Sequence, residues 1–146
     1  MITSQLSLRV RYAETDQMGF VYHGAYLPWL EQARIHLLDT VGVPYRELEE
    51  AGFLLPVLEA HLTYLRPARF DDRISVEARM DPQTGVRIQI GYTVSRAETV
   101  LCEGYTRHAF INRAGQPIRP PSRLVEALRK AAPSPEPPFL DPSTPC

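Results

Sequence analysis

From Gly24 to about Val41 the chain carries a helical apolar pattern longer than any other in the sequence. Tyr26, Leu30, Ala33 and Leu37 recur at spacings of four, three and four, which lines one face of a helix with 3.6 residues per turn. Leu27, Trp29 and Leu38 widen the stripe, so the helix is expected to be buried over much of its surface. Pro28 fits only in the first turn, where its missing N–H would have no intrahelical partner. Gly42 ends the helix, and a shorter one, "PYRELEEAG", opens at Pro44 and stops at Gly52. A helix with so wide an apolar face must be buried against other elements, and a meander of strands following it suggests a sheet wrapped around it.

The rest of the chain supplies one. Residues 6–12, "LSLRVRY", place Leu6, Leu8, Val10 and Tyr12 on one side of a first strand. After the helices, "PVLEAHLTYLRPA" sets Leu58, Ala60, Leu62 and Tyr64 on one face. "DRISVEARMD" alternates Ile74, Val76, Ala78 and Met80 against Ser75, Glu77, Arg79 and Asp81. "PQTG" at 82–85 predicts a hairpin turn, and "VRIQIGYTVSR" alternates again through Val86, Ile88, Ile90, Tyr92 and Val94. A second tight turn falls at Ala97–Glu98. "TVLCEGYTRHAFIN" is a long last strand in which Gly104 suggests a bulge. "SRLVEALRKA" is a closing helix with Ser122 as its expected N-cap. The fold class is α+β, an antiparallel sheet wrapped around a central helix. Glu77, Arg79, Arg87 and Gln89 face outward, and the open edges of such a sheet favour oligomers. One domain over residues 1–132 is expected, followed by a tail at 133–146 that holds six prolines.

Charge and composition exclude several classes of function. The net charge of −1 and pI near 6.4 give no basic patch for nucleic acid. No apolar run is long enough for a membrane span, and the N-terminus lacks the pattern of a secretory signal, so the cytoplasm is the expected location. Cys102 and Cys146 make neither a disulfide framework nor, with the four histidines, a metal-ligand spacing. No metal and no separate cofactor are expected.

The chemistry concentrates where the first strand hands over to the helix, in "RYAETDQMGFVYHGAYLPWLEQAR". Asp16 lies in the connecting loop, and His23 follows seven residues later at the helix start. Backbone N–H groups there are unpaired and carry partial positive charge, so they can hold a carbonyl oxygen as it becomes negative. Gly19 and Gly24 leave room for a ligand close to the backbone. These are the parts of an acyl-transfer site. The same residue types also have plainer uses: Asp16 as a turn residue, Glu31 and Arg34 as a helix-surface pair at i, i+3, and Tyr12, Tyr22, Tyr26 and Trp29 as packing.

The segment resembles the signature of the 4-hydroxybenzoyl-CoA thioesterase family of hotdog-fold proteins, most closely the acyl-CoA thioesterase branch associated with the Tol-Pal system. The resemblance is tight over residues 9–36 and looser through "YLRPARFDD" at 64–72, and it covers roughly residues 5–112. It implies a hotdog fold of five antiparallel strands around the helix, dimerised by strand pairing and assembled further into a homotetramer. It implies an enzyme that hydrolyses acyl-CoA, with Asp16 as the catalytic carboxylate, the His23 backbone N–H polarising the thioester carbonyl, and Tyr12 orienting substrate or carboxylate. Gly19, Val21 and Tyr22 would line the site. Arg66 and Arg69, with Arg73 nearby, would meet the CoA phosphates, unless "RPAR" is simply a solvated basic cluster.

A thioester releases a thiolate whose conjugate acid has a pKa of about 8–9, so little acid assistance is needed. Asp16 either attacks the carbonyl to form an anhydride or deprotonates a water; the sequence leaves both open. Glu31 on the helix is an alternative carboxylate, while His36, His61 and His108 read as structural or surface residues. Two other functions compatible with the pattern are a hotdog dehydratase and a non-catalytic acyl-thioester binder.

Overall fold

The structure, a computed structural model, describes residues 1–83 and 85–132. The Pro-rich tail expected at 133–146 and Thr84 of the expected "PQTG" turn lie outside the described residues. Among the described residues, five antiparallel strands form one sheet: β1 Ile2–Arg9, β2 Val57–Tyr64, β3 Arg73–Met80, β4 Arg87–Arg96 and β5 Thr99–Ala109, in the order β1-β3-β4-β5-β2. Three helices accompany them: α1 Tyr26–Thr40, α2 Tyr45–Glu50 and α3 Ser122–Ala131. The long helix α1 packs chiefly on β1 and β3.

The apolar stripe of α1 is buried as its spacing predicts. Tyr26, Trp29, Leu30, Ala33, Leu37 and Leu38 are all buried. Burial of each large side chain stabilises the fold by about 1.5–3 kcal/mol, so this face dominates the helix's attachment. Leu27 is a correction, since it lies on the open side of the helix and is exposed. Pro28 sits at the third helical residue, within the first turn. Ile74, Val76, Ala78 and Met80 of β3 and Ile88, Ile90, Tyr92 and Val94 of β4 complete the core. Val86 falls before β4 and is exposed, because the chain is still leaving the hairpin turn.

Four further expectations are corrected. First, β1 begins at Ile2 and ends at Arg9. Its inward row is Ile2, Ser4, Leu6, Leu8 and Val10, and the buried polar Ser4 hid the start of that row. Tyr12 leaves the row altogether and joins a 3-10 turn, Tyr12–Glu14, with its ring exposed and edge-on to Phe70. Second, the alternation of β2 does not bury a face: Leu58, Ala60 and Tyr64 are exposed, and Leu62 is half-buried. Among the described residues this strand pairs with β5 alone and forms one edge of the sheet, and α1, which packs chiefly on β1 and β3, does not cover it. Third, Gly104 does not mark a bulge. It pairs in register with Leu62 and Tyr92, and a Cβ there would collide with the His61 carbonyl oxygen. The irregularities lie instead between Val57 and Glu59 and between Val94 and Ser95. Fourth, Pro121 occupies the N-cap position of α3 and Ser122 is its first residue, with no side-chain cap bond.

On the sheet face away from α1, polar residues tie neighbouring strands together. Arg79 bonds Glu77 and Thr93, and Arg107 bonds Gln89 and Glu59. His61 stacks on Tyr105, whose ring lies under the Arg107 guanidinium.

Candidate active site

A buried carboxylate organises the loop between β1 and α1. Glu14 is almost fully buried. One of its oxygens accepts the Trp29 indole N–H at 2.6 Å, and the other accepts the Arg11 backbone N–H at 2.7 Å. The Glu14 carbonyl also accepts the Tyr22 N–H. The loop is thereby clamped to the first turn of α1, just before the segment that carries Asp16. An isolated bridge between Thr15 and Val21 closes the segment. Within it the Asp16 N–H donates to the Phe20 carbonyl, and the Gly19 N–H donates back to Asp16.

The Asp16 side chain is held by one oxygen. Oδ1 accepts the Met18 backbone N–H at 2.9 Å, a side-chain turn of the kind aspartate favours. Oδ2 has no partner among the described residues. One oxygen therefore fixes the carboxylate while the other remains available for chemistry.

His23 opens a 3-10 turn, His23–Ala25, that runs directly into α1. Its own N–H and that of Gly24 have no acceptor among the described residues, whereas the Ala25 N–H bonds the Tyr22 carbonyl. The His23 ring is tilted against Tyr22 at 4.4 Å. The Tyr64 hydroxyl, from the end of β2, donates to the His23 carbonyl at 2.8 Å. The two glycines have local reasons of their own. Gly19 adopts φ +85°, and a Cβ at Gly24 would meet the Tyr22 ring at 2.6 Å.

Asp16 and His23 line one cleft of about 330 Å³, together with Met18, Phe20, Val21, Tyr26, Tyr64, Leu65, Arg66 and Pro67. Of the residues expected at the site, the fold therefore brings Asp16, His23, Val21 and Arg66 together. Tyr22 abuts the cleft through His23. Tyr12 and Gly19 do not line it. Arg69 lies in the following turn, where its backbone N–H bonds Asp72. Arg73 lines a separate depression beside Ser7 and Arg9. Arg66 has no carboxylate partner among the described residues, which leaves its charge free for an anion. Tyr26 forms the inner wall, and burial pushes its hydroxyl up to about 12, so it stays neutral. Cys102 is buried, and its thiol is pushed up to about 11; a thiol kept protonated in this way is a poor nucleophile.

Glu31 is not in this cleft. It lines a second one with Arg34, Ile35, Leu38, Tyr45 and Glu49, beside the start of β2. The expected Glu31–Arg34 pair is not formed either, because Arg34 points into the protein and donates to the Tyr92 hydroxyl at 3.2 Å. That bond begins a chain of side-chain hydrogen bonds. The Tyr92 hydroxyl also bonds the Thr106 hydroxyl at 2.7 Å. Thr106 in turn bonds His108 Nε2 at 2.7 Å, and His108 Nδ1 bonds the Pro56 carbonyl at 3.2 Å. A carbonyl only accepts, so His108 carries a proton on Nδ1. Burial, then the Arg34 charge, push its pKa down to about 4.

Among the described residues no group of three His, Cys, Asp or Glu side chains is placed to hold a metal ion, and no helix is long and apolar enough to cross a membrane. Sequence reasoning missed Glu14. Its only signal was a carboxylate two positions before Asp16, followed at a distance by a tryptophan.

One cleft walled by aromatic rings thus holds the Asp16 carboxylate and the His23 turn that opens α1. The chain belongs to the thioesterase-like superfamily, whose sequence pattern it matches over residues 10–139; it is an enzyme of the thioester-hydrolase class. It is 36% identical to the Bacillus subtilis (strain 168) protein named "Putative acyl-CoA thioesterase YneP" over 94 residues, 64% of this chain and 68% of that one. Its fold superposes on the hypothetical protein TT1821 from Thermus thermophilus with a TM-score of 0.83 and 36% identity, covering 90% of this chain and 99% of the other. The DHNA-CoA thioesterase from Staphylococcus aureus gives a TM-score of 0.84 at 28% identity, over 89% and 91% of the two chains. The five-stranded hotdog architecture expected from the sequence is the one observed.

Proposed function

We propose that this protein hydrolyses acyl-CoA thioesters to the free acid and CoA. The observation that carries the reading is the placement of the Asp16 carboxylate and the His23 turn on one cleft. The thioester oxygen would sit against the N–H of His23, with the carbonyl carbon facing Asp16 Oδ2. Attack by Asp16, or by a water from which Asp16 takes the proton, forms the new C–O bond. The C–S bond then breaks, and CoA leaves as a thiolate. On the first route the product is an acyl–Asp16 anhydride, which a water hydrolyses to release the acid and restore the carboxylate; on the second the acid forms directly, and Asp16 gives up the proton it took. Arg66 at the cleft meets a CoA phosphate. Val21 and Tyr22 bound the acyl end, while Tyr12, Gly19 and Arg69 would act from outside the cleft of the single chain. The names of the relatives support CoA thioesters as the substrate class. The "TD" and "VYH" motifs support a kinship with the Tol-Pal-associated branch, and a cytoplasmic location accords with a CoA substrate.

The unpaired edge of β2 supports dimerisation by strand addition. Seven of its eight residues are exposed, and an exposed, apolar edge strand invites a partner. We place a second β2 there, giving a continuous sheet across a homodimer. The polar sheet face is left for assembly of a homotetramer.

Thiol release from a panel of acetyl-, hexanoyl-, lauroyl- and benzoyl-CoA tests the reading, run on the wild type and on Asp16→Asn. Loss of a positioned carboxylate is expected to lower kcat by about 10²–10⁴-fold. Undiminished activity in a folded Asp16→Asn variant would refute the role of Asp16, and no turnover of any thioester by the wild type would refute the function.

A further inference from the structure

The thioesterase reading leaves Tyr64 without a task beyond lining the cleft, yet its contacts are specific. It ends β2, forty-one residues after His23, and its hydroxyl reaches the His23 carbonyl at 2.8 Å. Its ring is fixed edge-on against Tyr26 at 5.2 Å and against the His23 imidazole at 6.5 Å. Burial raises its pKa above the ordinary tyrosine value, so the group remains a hydrogen-bond donor through the neutral range.

The His23 carbonyl and the Gly24 N–H belong to one planar peptide unit. A hydrogen bond accepted at the oxygen draws electron density from the nitrogen and strengthens the N–H as a donor. Such polarisation along a chain adds about 10–30% per bond. The Gly24 N–H is the second in its turn and has no acceptor among the described residues. It lies beside the equally free N–H of His23, and the first N–H groups of a helical segment all point out of its N-terminal end.

We propose that Tyr64 is a positioning residue, resting on the thioesterase reading: by hydrogen-bonding the His23 carbonyl it fixes and polarises the His23–Gly24 peptide, making the Gly24 N–H a second donor to the thioester oxygen. The oxyanion site is then a pair of adjacent N–H groups, tuned by a side chain delivered from the edge strand. Deleting a whole oxyanion donor lowers kcat by about 10²–10³-fold. Removing about 10–30% of one donor's strength, on the same logarithmic scale, corresponds to about two- to eightfold.

Tyr64→Phe keeps the ring and removes the hydroxyl. Three measurements on the full chain test the proposal: the amide ¹⁵N shift of Gly24 without ligand, kcat and KM on the four acyl-CoAs named above, and the thermal midpoint. The expected result is an upfield move of the Gly24 nitrogen with that of Ala25 unchanged, a two- to eightfold lower kcat, and an unchanged KM and midpoint. An unmoved Gly24 shift, an unchanged kcat in the presence of wild-type activity, or a kcat loss matched by a lower midpoint and raised KM would each overturn the assignment of Tyr64 alone. A Gly24 shift that moves as expected in a protein that hydrolyses none of the four would overturn the thioesterase reading, and the catalytic use of Tyr64 with it.

Discussion

Replacing Glu14 with alanine removes the clamp between the Asp16 loop and α1, and the structure allows the cost to be worked out. Two carboxylate hydrogen bonds are lost, together with a long ion pair to the exposed Arg11 guanidinium at 3.6 Å, which contributes little. The Arg11 N–H belongs to an exposed residue and can turn to water, so its loss contributes little. The Trp29 indole is different: Trp29 is 1% exposed, and its N–H would be left buried without an acceptor. An unsatisfied buried donor costs about 1–3 kcal/mol, and a bond to a charged group contributes about 1.5–3. A destabilisation of about 2–3 kcal/mol follows. At about 2–4 °C per kcal/mol for a chain near this size, the thermal midpoint should fall by about 4–12 °C. The assay is urea and thermal unfolding by circular dichroism, at one fixed protein concentration because oligomers make stability concentration-dependent. Trp29→Phe and the double variant complete a cycle. With the indole N–H already gone, deletion of the carboxylate should cost much less, giving a coupling of about 1.5–3 kcal/mol. A Glu14→Ala variant within about 0.5 kcal/mol of wild type, or strict additivity in the cycle, would refute the clamp.

Gly104→Ala should detach β2, because the new Cβ would meet backbone at His61 rather than a movable side chain; we expect more than about 3 kcal/mol of destabilisation, seen as fast hydrogen exchange along β2 and β5. Gly24→Ala meets only the half-exposed Tyr22 ring, which can rotate away, so stability should change by less than about 1 kcal/mol while thiol release falls. Neutral His108 makes stability depend on acid. The unfolded chain binds its proton near 6.5, while the folded chain does so only at about 4. Stability is therefore complete above pH 6.5 and is lost as pH falls from 6.5 to 4, by up to about 1.4 kcal/mol per pH unit. His108→Gln should remove that slope from the urea midpoint measured against pH.

Legibility in the sequence followed one rule. Periodicity survived folding wherever both neighbours of an element came from the chain itself. The stripe of α1 and the alternation of β3 and β4 were readable because those elements are enclosed on their inner side by this one chain. The pairing of Asp16 with His23 was readable because seven residues of loop and turn keep them together whatever else the chain does. β2 shows where the rule stops: its alternation is as regular as that of β3, but α1 packs chiefly on β1 and β3 and leaves β2 exposed, and a period records two faces without recording which face water reaches. The start of β1 is not legible because Ser4 interrupts its inward apolar row.

What tertiary structure alone decided is the supply of partners from far along the chain. Glu14 looks like a surface acid until Trp29 arrives over it. Arg34 looks like the partner of Glu31 until Tyr92, fifty-eight residues away, offers a hydroxyl. Gly104 looks like a bulge until the backbone of β2 passes against it. Tyr64 looks like one more strand residue until pairing with β5 carries it to the His23 carbonyl. Local sequence determines which backbone a segment prefers and where chemistry can start. The desolvation and hydrogen bonding of each polar group are set by neighbours in space, and those exist only once the sheet has closed around the helix.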